Sequence, residues 1–156
     1  MSKKNSIVLN HKNCFSRSEQ ILKIFLNFKT KLLKLKTNKF LVAVSGGPDS
    51  LALAAMCKAF ESIYKKKKFY YIHINHGLRK SALIESKKVK KILKKQHILL
   101  KVIENKKKIT NNIQHNARKI RYSILNNECK KRKINKPSSK REFLTTYAEK
   151  KERDKQ

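Results

Sequence analysis

Apolar residues along the chain fall into short continuous runs, separated by longer stretches in which they recur at helical spacing. Phe40-Leu41-Val42-Ala43-Val44, the run from Phe69 to Asn75 and the run from Ile98 to Ile103 have the length and residue types of strands buried on both faces. Between the first two, Leu53, Met56, Cys57, Phe60 and Tyr64 recur every three or four residues, which predicts a helix. A second helix is predicted over residues 81–96 through Val89, Ile92 and Leu93. Ahead of the first strand, Ser16-x-x-Glu19 has the form of a capping box, and Ile21, Ile24, Phe25, Phe28, Leu32 and Leu35 make one helical stripe. A longer helix is predicted from about Thr110 to Lys133, burying Ile113, Ala117, Ile120 and Ile124, and Phe143-Leu144-Thr145-Thr146 is a short candidate for a fourth strand. Strands alternating with helices predict an α/β fold with a doubly wound parallel sheet, here truncated after the fourth strand. The expected organisation is a basic segment and helix over residues 1–38, a sheet domain over 39–146 and a charged tail over 147–156.

Charge adds a partner to this picture. Lys and Arg number 41 against 10 Asp and Glu, a formal net charge of +31 that points to a polyanion such as nucleic acid. Part of that excess is what an AT-rich genome writes into any chain, since it falls mostly on lysine. Cys14, Cys57 and Cys129 are scattered without C-x-x-C spacing, which suits a reducing compartment and excludes a disulfide framework or zinc ribbon. No apolar run approaches the roughly 20 residues of a membrane span, and the basic N-terminus lacks the apolar stretch of a signal peptide.

The candidate chemistry sits where the strand runs end. All 3 glycines lie in two motifs, Ser45-Gly46-Gly47-Pro48-Asp49-Ser50 after the first strand and His73-Ile74-Asn75-His76-Gly77-Leu78-Arg79 at the end of the second. A strand, a glycine turn and a helix form a phosphate site, because small residues let backbone N–H groups approach an anion and the helix N-terminus adds partial positive charge. Unlike a Walker A loop, this hexamer carries no lysine, so charge must be neutralised by backbone dipoles, a metal and basic residues elsewhere. Ser45, Gly46, Gly47 and Ser50 are the expected donors, and Asp49 is placed to hold Mg²⁺ or to orient the loop. His76 and Arg79 fall on the same rim, at the carboxyl end of the sheet. Alternation puts His73 and Asn75 on one face of the strand and Ile72 and Ile74 on the other. In the last helix, Gln114, Arg118 and Arg121 share a face beside Tyr122, a fork suited to phosphate or an ordinary basic stripe.

Taken in order, S-G-G-P-D-S, H-x-N-H-G-L-R and N-I-Q-x-x-A-R-x-x-R-Y resemble the signatures of the tRNA(Ile)-lysidine synthases, members of the PP-loop (N-type) ATP pyrophosphatase superfamily. The resemblance runs from about Phe40 to Tyr122. It implies a Rossmann-like PP-loop domain that uses ATP and Mg²⁺ to join free L-lysine to carbon 2 of the wobble cytidine in the isoleucine tRNA with anticodon CAU. The cytidine is first adenylated with release of pyrophosphate, and the lysine amine then displaces AMP to give lysidine. On that resemblance Ser45, Gly46, Gly47, Pro48, Asp49 and Ser50 bind ATP, and Asp49 and Arg118 serve catalysis, with Asp49 meeting the metal through ATP. His76, Arg79, Gln114 and Arg121 are expected to contact nucleotide or tRNA. The AT-rich, reducing character fits a bacterial cytoplasm, or a plastid stroma if the chain is encoded in the organelle, and no membrane partner is expected. One departure stands out: where the family carries A-H-x-x-D-D-x-x-E-T, this chain reads from Thr146 to Lys155 with Tyr147, Lys150 and Lys151 at the His and Asp positions. A fragment that binds ATP or RNA without catalysis, or half of a split enzyme, fits that departure. Another PP-loop tRNA-modifying enzyme is the remaining alternative; thiolases of that kind lean on paired cysteines, which are missing here.

Overall fold

The computed structural model describes residues 18–77, 81–105 and 111–134. Helix α1 (Glu19–Leu33) leads to strand β1 (Lys39–Ala43), then α2 (Pro48–Ile63), β2 (Lys68–Asn75), α3 (Ala82–Lys95), β3 (Leu100–Glu104) and α4 (Ile113–Lys131). The three strands pair in the order β1-β2-β3, all parallel, with Phe40 opposite Phe69 and Tyr71 opposite Leu100. This is the alternating α/β architecture expected. Arg79, residues 1–17, the fourth-strand candidate at residues 143–146 and the tail lie outside the described residues.

Both faces of the sheet are covered, and alternation along each strand sorts the side chains between them. Phe40, Val42, Phe69, Tyr71 and Leu100 point to one face and pack with Phe60 of α2 and Val89 and Leu93 of α3. Leu41 and Ile72 point to the other and pack with Leu125 and Cys129 of α4. The chain therefore changes face after β3, which is what doubly wound means in a parallel sheet. Paired aromatics bind the first layer: Phe40 stacks on Phe69 at 4.9 Å between centroids, and Phe60 meets Phe69 edge-on at 6.0 Å.

Three local expectations need correction. The N-cap of α1 is Ser18, whose Oγ accepts the Ile21 N–H at 3.4 Å, two residues beyond the Ser16 of the capping-box pattern. Of the α1 stripe, Phe25 and Leu32 are buried and Phe28 packs against the core, but Ile21, Ile24 and Leu35 are exposed. The helix rests on α2 rather than in the sheet, so only a narrow strip is covered. In α4, Ile113 is exposed and the buried line is Ala117, Leu125, Glu128 and Cys129. That helix starts at Ile113 because Asn112 sits in the left-handed region at φ 45°, which asparagine tolerates and a continuing helix does not.

Candidate functional site

Val44 extends β1 by donating its N–H to the Ile72 carbonyl at 2.8 Å, and the chain then turns through Ser45, Gly46 and Gly47 into α2. Gly46 has φ +99°, and a Cβ there would lie 2.7 Å from Cγ2 of Val89, so both backbone and space demand glycine. Gly47 differs. It is the N-cap of α2 at φ −71°, an ordinary conformation, and a Cβ would meet only Ser45 Oγ at 3.9 Å. The space above Gly47 is open, and it faces a helix start whose first N–H groups have no intrahelical acceptor. Pro48 at the first helical position costs no hydrogen bond.

Ser50 is almost wholly buried and braces the turn: its Oγ accepts the Gly46 N–H at 3.0 Å and donates to the Gly47 carbonyl at 2.8 Å. Its hydroxyl is thus spent within the loop, and what it offers a ligand is its backbone N–H. Asp49 projects from the first turn, exposed. Among the described residues no group of three or more His, Cys, Asp or Glu could hold a metal. A cation here would take its remaining ligands from a bound phosphate, as Mg²⁺ commonly does.

His73 holds the loop from behind. Its Nδ1 lies 2.8 Å from the Val44 carbonyl, which can only accept, so Nδ1 carries the proton. Its Nε2 lies 3.0 Å from Ser86 Oγ on α3, and Ser86 is also 2.8 Å from the Ala82 carbonyl. The buried ring therefore links the residue before the glycine turn to the start of α3. Sequence reasoning put His73 on the right face without finding this clamp, since its partners are 29 and 13 residues away.

Beyond β2, the Asn75 side chain accepts the Gly77 N–H at 2.9 Å, and Gly77 has φ +66°. His76 is half-buried in this turn, and among the described residues neither ring nitrogen has a hydrogen-bond partner. Burial first, then the Arg121 guanidinium and His73, hold His76 below the ordinary histidine range. Arg121 thus acts on His76 through its charge. Arg118, one turn earlier, sits with its guanidinium carbon 5.9 Å from the Tyr122 ring centroid. Gln114 is exposed on the first turn of α4. Of the described thiols, burial pushes both Cys57 and Cys129 up, with Glu61 and Glu128 respectively adding to it.

The sequence matches the PP-loop domain family over residues 17–136. It is similar to the tRNA(Ile)-lysidine synthase of Orientia tsutsugamushi (strain Boryong), 40% identical over 99 residues that cover 62% of this chain and 22% of that protein. The synthase of Lactobacillus gasseri is 35% identical over 115 residues, covering 70% and 26%, and that of Ureaplasma parvum serovar 3 is 29% identical over 120 residues, covering 72% and 34%. The chain thus spans between a fifth and about a third of the length of these relatives.

Proposed function

This chain belongs to the PP-loop domain family, and we propose that it is the ATP-binding part of a tRNA(Ile)-lysidine synthase. The observation that carries the reading is the open space over Gly47, bounded by a glycine turn and a helix N-terminus at the end of β1. In this reading the N–H groups of the first turn of α2 take the pyrophosphate end of ATP, and Asp49 meets Mg²⁺ held on the phosphates. ATP adenylates carbon 2 of the wobble cytidine in the CAU-anticodon isoleucine tRNA, pyrophosphate leaves, and the amine of free lysine then displaces AMP. Arg118 stabilises the phosphate charge that develops as these groups depart, and contact with nucleotide or tRNA is assigned to His76, Arg79, Gln114 and Arg121.

Calorimetry of ATP·Mg²⁺ binding tests the site. Gly47→Val should lower affinity at least tenfold while the melting temperature holds, because the new side chain occupies ligand space and not protein space. Equal affinity would remove the loop from the proposal. For the reaction, pyrophosphate release should require both the transcript and its wobble cytidine; release that ignores the RNA would sink the substrate assignment. A second reading, binding without turnover, is favoured by Lys150 and Lys151 at the family's Asp positions. It predicts ATP and RNA binding with no pyrophosphate release at all.

A further inference from the structure

Parallel strands give the molecule two unlike rims, and the one opposite the glycine loop has its own chemistry. All three described strands begin there, and α2, α3 and α4 end there. Contacts join these junctions into one surface. Lys39 Nζ donates to the Arg132 carbonyl at 3.4 Å, Lys67 Nζ donates to the carbonyls of Leu35 and Thr37 at 3.0 and 2.7 Å, and the Arg132 guanidinium lies 4.4 Å from the Tyr70 ring centroid. Residues 34–39, 65–68, 94–95 and 130–133 together contain 13 Lys or Arg and no Asp or Glu. Among the described residues two carboxylates reach this end, and both are engaged. Glu61 accepts the Phe69 N–H at 3.3 Å and pairs with Lys58 at 3.4 Å, and Glu128 accepts from Lys101 at 2.8 and 2.9 Å.

Within this rim lies a cleft of about 400 Å³, lined among others by Lys58, Tyr70, Tyr71, Lys101 and Arg132. It forms because β2 starts three residues before its pairing with β3 at Tyr71 and Leu100. The Tyr71 side chain is buried, and its hydroxyl has no hydrogen-bond partner among the described residues. Favourable interaction of lysine with helix C-termini accounts for residues 94–95 and 130–131 and for Lys34, the C-cap of α1, but not for Lys39 and Lys68 at the first residues of β1 and β2.

We infer that this rim docks the sugar-phosphate backbone of RNA, with the cleft receiving one unpaired nucleotide. Lysines gathered from four junctions match closely spaced phosphates, and the Arg132–Tyr70 stack that lines the cleft suits a base. The choice of RNA rests on the synthase reading; the location does not.

Lys65, Lys66, Lys94 and Lys95 are exposed and make no ion pair among the described residues. Their replacement by Gln is compared with the same change at Lys87, Lys88, Lys90 and Lys91, exposed on the flank of α3, which removes equal charge. Binding of a CAU-anticodon isoleucine tRNA transcript is measured across a salt series, with ATP affinity in parallel. The rim variant should lose about 2 to 3 from the log–log salt slope and the flank variant less than about 1, since each lost phosphate contact removes about 0.9. Tyr70→Leu should weaken binding about fivefold with the slope intact. Equal slope losses in the two lysine variants, or no RNA binding by the wild type, would overturn the rim. Tighter, rim-dependent binding to phosphatidylserine vesicles than to RNA would overturn the choice of partner. Unchanged binding by the Tyr70→Leu variant would remove the cleft. Loss of ATP binding with the RNA results intact would count against the synthase reading alone.

Discussion

Gly46 and Gly47 are adjacent in the loop but answer to different constraints. Gly46 serves the fold: any L side chain there is strained at φ +99° and collides with Val89. Gly46→Ala should therefore cost about 2 kcal/mol or more in urea unfolding, the range of enforced backbone strain plus overpacking. Gly47→Ala should unfold at nearly the wild-type midpoint; a comparable loss at both positions would show that the space over Gly47 belongs to the protein. His76 is the other residue whose environment predicts a measurement. Its proton is bound less readily in the folded chain than in the unfolded one, because burial, Arg121 and His73 all disfavour the charged ring. The unfolded chain thus binds the extra proton first as pH falls, so the stability tied to neutral His76 is full above the ordinary histidine pKa near 6.5 and drains below it. His76→Asn should lose less stability than wild type between pH 7 and pH 5, and Arg121→Gln should move the His76 titration upward in an NMR pH series. A downward movement would mean that Arg121 does not face this ring.

At the scale of elements, α4 is held to the sheet by one buried carboxylate as well as by Leu125 and Cys129. Glu128 accepts two hydrogen bonds from Lys101 on β3, with Arg132 at 3.6 Å and Lys131 at 3.8 Å. Removing it strands cations beside an apolar face, yet Lys101 is 45% exposed and can be rehydrated, so the loss is smaller than for a fully buried pair. Glu128→Ala should cost about 2 kcal/mol in urea unfolding and Lys101→Ala less, because Arg132 and Lys131 still face the carboxylate. The strands were legible in the sequence as continuous apolar runs such as Phe40 to Val44, and alternation set His73 and Asn75 on one face of β2 against Ile72 and Ile74 on the other. The α4 stripe was not. Its apolar residues continue around the helix, and the face that wins is chosen by Leu41 and Ile72, which are distant in sequence. Glu128 carries no signal of its own in the sequence, and only its partner on β3 makes it part of the core. The glycine loop was legible as a phosphate cradle, but not that Ser50 would turn its hydroxyl inward to hold Gly46 and Gly47 together. The position of Ser18 as a cap was hidden by the better-matched pattern at Ser16.

For the whole molecule the governing quantity is the charge of +31, which acts on folding and on binding with opposite signs. Like charges crowded onto one small domain repel, and unfolding relieves that repulsion. Salt shortens the reach of these interactions, from a Debye length near 30 Å at 0.01 M to about 8 Å at 0.15 M, so it should stabilise the free protein. The same salt competes with lysines for phosphates and weakens any RNA complex. Raising NaCl from about 20 to 300 mM should therefore increase the melting temperature of the free chain while lowering its affinity for tRNA by orders of magnitude. Discrimination between the isoleucine tRNA and other tRNAs should stay small throughout, because contacts made by exposed lysines follow the backbone and read no base. Melting temperatures that fall with NaCl would show that attractive ion pairs, such as those at Glu128, outweigh the net repulsion. A flat affinity across the salt series, or a strong preference for the isoleucine tRNA near 0.15 M, would place specific base readout in these 156 residues rather than a mainly electrostatic grip.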